Sequence, residues 1–402
     1  MIISKTNLFY FAFVLIILLF LFQDILNLIF INYNAIILVK YGSAIKEVFI
    51  LVIFLLFFKL NFKASSLFKS IKEFKNLIVL TFIFLIYIII GFTKYPFNGV
   101  IFEFRAILMP LILYYLGTLF CVVLRNDLRY INKFINVILV FSIVLAFSGL
   151  LDYFFITVNF WDSINIGAIE TAKGGVISSG RLPNNFYSVF GRRAIGLTFN
   201  PLLLSYLMIP SVVFYLNRKN FYKFIISFGT LILTFSRLPI LASIAGVFYY
   251  KTSIGVKILV LFLISPLIIY YIPKIIYVFT DSSAQGHYST FLIGIKYFFK
   301  NIFGYGIGAA GVFASNYSDI YAESGVINIL NQIGVFGAIF YVNLFKYGLS
   351  SNTLYYKELR IITLIYLITA ILSPQIFVVK ANFIFFILLG LNKKLNNQFI
   401  NA

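Results

Sequence analysis

Runs of apolar residues, each about as long as a bilayer is thick, follow one another down this chain and are parted by short segments bearing Lys and Arg. A helix of about 20 apolar residues closes its own backbone hydrogen bonds, as any segment without water around it must. On that length the spans fall near 8–31, 44–58, 77–92, 104–124, 134–156, 194–216, 224–235, 238–250, 258–273, 323–345, 361–377 and 380–392. The pattern predicts an all-α polytopic integral membrane protein, one transmembrane domain over 1–402 with about twelve transmembrane helices. The first run, Leu8 to Phe22, ends at Gln23-Asp24 with no small-residue cleavage pattern and reads as a retained span. With 62% hydrophobic and 11% charged residues, lipid must be the solvent for most of the chain.

Basic residues outnumber acidic ones 32 to 12, a surplus that in a soluble protein would point to nucleic acid. Its placement argues against a nucleic-acid partner. Most of the surplus sits in segments that alternate with pairs of spans: Lys5, Lys59 to Lys75, Arg125 to Lys133, Arg218 to Lys223, Lys251 to Lys257, Lys346 to Arg360, and Lys393-Lys394. This positive-inside distribution predicts both termini in the cytoplasm. The stretch 224–250 could make a single tilted helix, but Ser236-Arg237 interrupts it, and only two short spans meeting there keep the later basic segments on the cytoplasmic side. Two long loops, 157–193 and 274–322, then lie on the opposite face. Within the second, His287 to Ile302 places Leu292, Ile295, Phe299 and Ile302 on one helical face and Ser289, Lys296 and Lys300 on the other, as in an amphipathic helix resting on membrane lipid.

Charge near a membrane is costly, so basic residues outside the cytoplasmic segments need a reason to be there. Arg105, Arg192, Arg193 and Arg237 lie near expected span ends or at the first long loop's exit, with Arg181 further into that loop. Singly, each reads as snorkelling or as a partner for Glu103, Asp162, Glu170 or Asp281. As a set they fit a shared anion, because guanidinium groups grip phosphate oxygens bidentately and keep their charge when desolvated. His287, the single histidine, reads as structural or as a catalytic group of that basic site. Glu323, where the second loop returns toward the membrane, is either neutralised by an arginine or a general base tuned by partial burial. The lone Cys121 forms no intrachain disulfide, and the chain has no G-x-x-x-x-G-K-[ST], no H-E-x-x-H and no Asp-x-Asp pair in either long loop. ATP hydrolysis and zinc chemistry are unsupported, no cofactor is expected, and arginines must neutralise any bound diphosphate.

The segment Gly191-Arg192-Arg193-Ala194-Ile195-Gly196-Leu197-Thr198-Phe199-Asn200-Pro201 resembles the arginine, glycine and Asn-Pro signature that opens a span in O-antigen ligases and polymerases. Leu233 to Leu238 is similar to the Thr-x-Ser-Arg turn of that superfamily, Gly304-Tyr305-Gly306-Ile307-Gly308 to its Gly-x-Gly-x-Gly loop, and Glu323-Ser324 with Asn331 to Gly337 to its re-entrant segment. The resemblance covers 190–345 and implies a GT-C-like glycosyltransferase. Such an enzyme takes a glycan from undecaprenyl diphosphate at the periplasmic face of the inner membrane and passes it, without a metal, to an acceptor hydroxyl. It implies Arg192 or Arg193 together with Arg237 as holders of the diphosphate. Two departures stand out: His287 occupies a position where the family has arginine, and Glu323 one where ligases have histidine. The second favours a Wzy-type O-antigen polymerase, with Glu323 as base and a partner protein that sets chain length, over a ligase that loads lipid A-core. A lipid-linked oligosaccharide flippase is the alternative of another class; repeated halves and midplane charges, which transporters tend to carry, are not seen here.

Overall fold

A computed structural model describes residues 5–33, 35, 47–53, 55, 67–123, 128–164, 166–167, 186–188, 191–249, 282–311, 314, 317–349, 355–373 and 378–399. The described chain is mostly helical. In order its helices are α1 (Lys5–Asn32), α2 (Leu67–Lys94), α3 (Phe97–Val123), α4 (Leu128–Phe155), α5 (Val158–Ser163), α6 (Pro201–Asn217), α7 (Phe221–Leu233), α8 (Arg237–Tyr249), α9 (Ser282–Lys300), α10 (Gly325–Leu349), α11 (Tyr356–Leu372) and α12 (Val379–Phe399). An antiparallel ribbon joins β1 (Tyr187–Ser188) to β2 (Gly191–Arg192), and Gly196–Thr198 makes a 3-10 turn. The expected span at 258–273, residues 44–46, 54 and 56–58 of that expected at 44–58, and Glu170, Arg181 and Asp281 lie outside the described residues.

Among the described residues, Phe97–Cys121 and Arg129–Phe155 are long and apolar enough to cross a membrane. Helix α1, bent by 60° between Tyr10–Phe20 and Phe22–Asn32, makes a third crossing if both arms form one span. Shorter apolar helices include Pro201–Asn217, Phe221–Leu233, Arg237–Gly246 and Lys380–Asn392. Outward-facing apolar side chains recur at helical spacing. On α4, Val140, Val144, Phe147, Leu151 and Phe154 share one face, and all are well exposed, Val140 at 57% and Phe154 at 65%. A continuous apolar strip of this kind suits lipid better than water.

The chain divides into two compact units, one of Met1–Phe57 with Leu119–Thr252 and one of Phe58–Thr118 with Ser253–Ala402; the division falls within α3. In the first unit α4 packs on α6 and α7. Two hydroxyls bridge these helices: Tyr215 donates to the Leu139 carbonyl at 3.0 Å and Thr230 to that of Ala146 at 2.8 Å. In the second unit α3 meets α12 through small residues, as backbones do where no hydrophobic drive separates helix from lipid. A Cβ on Gly117 would fall 2.2 Å from the Ile387 carbonyl oxygen, and one on Gly390 would fall 1.9 Å from that of Tyr114.

Two expected spans are modified and one expected division is found. The helix expected from 194 begins only at Pro201, because Asn200 is extended and caps it, its side chain accepting from the Leu203 N–H at 3.0 Å, while Pro201 needs no donor partner in the first turn. The stretch 224–250 is two helices, parted where Phe235 turns left-handed at φ 47°. Helix α10 is broken at Gly334, whose φ of 63° and ψ of −168° are not helical.

Candidate functional site

In the first unit, the site grows from a carboxylate. Asp152, one turn from the end of α4, is wholly buried, and a charge there must be met by donors. It is met four times. The Trp161 indole donates to it at 2.7 Å, the N–H groups of Ile195 and Gly196 donate at 2.7 and 3.1 Å, and the Arg192 guanidinium forms an ion pair with it. Arg192 also donates to the carbonyls of Asp152 and Ile156. Trp161 is held on α5, whose N-cap is Thr157, and packs with Ile31, Ile166, Phe186, Ile195 and Phe199. Gly196 takes φ 48° and presses on α4 so closely that a Cβ would lie 2.8 Å from the Gly149 nitrogen.

These contacts place the segment after β2. The Arg193 N–H donates to the Phe186 carbonyl at 2.9 Å, and the Ala194 N–H to that of Leu233 at 2.8 Å, tying the loop to the end of α7. The Thr234-Phe235-Ser236 turn follows, with Thr234 donating to Leu231 at 2.6 Å, and delivers Arg237 as the first residue of α8. The outcome is that Arg193 and Arg237 come together. Burial, and then the positive charge of Arg237, lower the proton affinity of the Arg193 guanidinium. The Arg193 Nε is buried with no hydrogen-bond partner among the described residues, whereas Arg237 is exposed. Two cations gathered around an unpartnered donor make an arrangement that an anion would complete.

No protein-family model matches this chain, and no curated protein matches its sequence.

The second unit carries separate chemistry. Glu323 precedes Ser324, whose hydroxyl accepts from the Ile327 N–H at 3.3 Å as α10 begins; Glu323 itself is partly exposed. His287 lies within α9, its side chain outside the described ones. Arg105, on α3, holds its guanidinium 5.1 Å from the Phe102 ring centre. The expected apolar face of α9 leaves Leu292 and Phe299 exposed, while Gly294 packs against Ala322 and Ile327. Gly304, Gly306 and Gly308 all take positive φ, at 86°, 106° and 95°, and the loop they form lies on α2, α3 and α10. Gln332 joins two of these pieces, accepting from the Gly308 N–H at 3.0 Å and donating to Glu103 at 3.4 Å.

Glu103 is nearly fully buried on α3, and Gly311 covers it. Burial, then Glu103, then Tyr95 push the Tyr317 phenol up to about 12, and burial followed by Glu103 raises that of Tyr321. Sequence reasoning entertained Glu103 only as an arginine's partner and passed over Asp152 entirely. The available signal was an acidic residue inside an otherwise apolar span, which has to be paired or functional.

Proposed function

We propose that this chain is a polysaccharide polymerase, a GT-C-like glycosyltransferase of about twelve spans in the bacterial inner membrane, with both termini cytoplasmic. It joins undecaprenyl-diphosphate-linked O-antigen or capsule repeat units on the outward face. One observation carries the reading: Arg193 and Arg237 are folded together, with the Arg193 Nε buried and unpartnered. A diphosphate answers that chemistry, because its oxygens accept from guanidinium groups in pairs and offset the repulsion between them. Arg192, matched by Asp152, is already neutralised and contributes orientation.

In the reaction an acceptor sugar hydroxyl attacks the anomeric carbon with inversion. The carbon–oxygen bond to the carrier breaks, and the electron pair leaves on the polyprenyl diphosphate. Charge develops on that leaving group, where Arg193 and Arg237 bind it more strongly than in the ground state. Glu323 takes the hydroxyl proton in this scheme, an assignment that rests on the sequence of the re-entrant segment. No metal step is required.

Arg237→Ala removes one such donor and is expected to cost about 3 to 4 kcal/mol of transition-state stabilisation. In cells it leaves single repeat units on the acceptor in place of long chains, read by gel electrophoresis of the surface polysaccharide. Undiminished long chains at a normal membrane level of the variant contradict the proposal. Bare acceptor with finished polymer left on the carrier marks a ligase instead.

A further inference from the structure

We infer that Asp152 is the positioning residue of this anion site, an inference that rests on the diphosphate reading above. Its two oxygens divide the work. Oδ1 receives the Trp161 indole at 2.7 Å and the Arg192 guanidinium, while Oδ2 receives the Ile195 and Gly196 N–H groups at 2.7 and 3.1 Å. The gripped residues stand on either side of Arg193 in the chain. With its own N–H bonded to Phe186 and that of Ala194 bonded to Leu233, the backbone at Arg193 is held from both directions. The guanidinium it carries lies close enough to Arg237 to feel that charge. The same carboxylate neutralises Arg192 and so takes it out of anion binding. Only a carboxylate accepts from four donors in two directions; an amide would turn its NH2 against either Arg192 or the two N–H groups.

The protein supplies its own reporter. Trp161, its single tryptophan, donates directly to Asp152, so selectively excited emission reads that contact. The experiment uses the full chain in lipid nanodiscs with inorganic pyrophosphate as probe. Modification of each arginine by phenylglyoxal is followed by mass spectrometry. In the unaltered protein Arg192 reacts slowly and pyrophosphate protects Arg193. Asp152→Asn is expected to shift the Trp161 emission, speed the modification of Arg192, and raise the half-protecting pyrophosphate concentration for Arg193 by about tenfold or more.

The double variant Asp152→Asn with Arg192→Gln restores charge balance without restoring the grip on Ile195 and Gly196, and protection stays weak. Wild-type protection of Arg193 in Asp152→Asn overturns the inference. Full recovery in the double variant also overturns it, because Asp152 would then be no more than a counterion. If Asp152→Asn fails to accumulate in membranes, Asp152→Glu replaces the single variant: it keeps the charge but moves the acceptors one methylene outward, so weakened protection of Arg193 supports the grip on Ile195 and Gly196 and wild-type protection overturns it. Should pyrophosphate protect nothing in the unaltered protein, the diphosphate reading falls. The unliganded modification rate of Arg193 then decides the positioning role: changed by Asp152→Asn it stands, unchanged it fails.

Discussion

At the scale of single residues, two kinds of side chain hold the first unit's loop, and they differ in what their loss should cost. Asp152→Ala removes the carboxylate that neutralises Arg192 and strands four donors, so stability should fall by about 3 to 5 kcal/mol, read as a lower thermal midpoint in detergent. Asn200→Ala removes only the cap of α6 and should cost about 1 kcal/mol while sparing polymer formation. The Asn-Pro pair is thus explained by the start of a helix, with no role in substrate binding required. The arginines were legible in the sequence because charge near a membrane is conspicuous. Their sorting was not, since Arg192 is paired and Arg193 unsatisfied through contacts with a residue 40 positions earlier. Nothing local to Gly191-Arg192-Arg193 distinguishes the two.

At the scale of elements, breaks were easier to see than starts. Ser236-Arg237 marked the division between α7 and α8, because polar residues interrupt an apolar run there. The seven residues before Pro201, Ala194 to Asn200, are apolar enough to pass for helix, and only the Asp152 contacts and the left-handed Phe199, at φ 51°, take them out of it. The glycine loop was recognisable as a motif, yet its purpose shows only in contact. Gly311 has φ 113°, and a Cβ there would lie 1.9 Å from a Glu103 oxygen, so Gly311→Ala should displace that carboxylate and lower the stability of the second unit by about 1 to 3 kcal/mol. Gly286→Ala, in α9 with nothing within 4 Å, should instead raise stability by about 0.5 to 1 kcal/mol. Parallel thermal melts of the two variants check both; a tolerated Gly311→Ala would remove the argument that this loop is built around Glu103.

At the scale of the whole molecule, the alternation of basic segments predicts sides of the membrane that labelling can read. Cys121 is buried, in no disulfide and the single cysteine, so replacing it gives a background without cysteine. Ser289→Cys, on the exposed face of α9, should react with an impermeant maleimide from outside, and Lys357→Cys only after the membrane is opened. The reverse pattern would invert the topology and put the arginine site on the face that undecaprenyl-linked repeats do not reach after export. Above all, the proposed activity is the transfer of glycans between lipid diphosphates by this one chain by means of Arg193 and Arg237. The direct measurement is purified full-length protein in lipid nanodiscs with undecaprenyl-diphosphate-linked repeat units and no other protein, products resolved by length. The expected result is lengthened lipid-linked glycan, release of undecaprenyl diphosphate, and loss of both when Arg193 or Arg237 is changed to Gln. No lengthening in the unaltered protein, or equal lengthening in both variants, contradicts it.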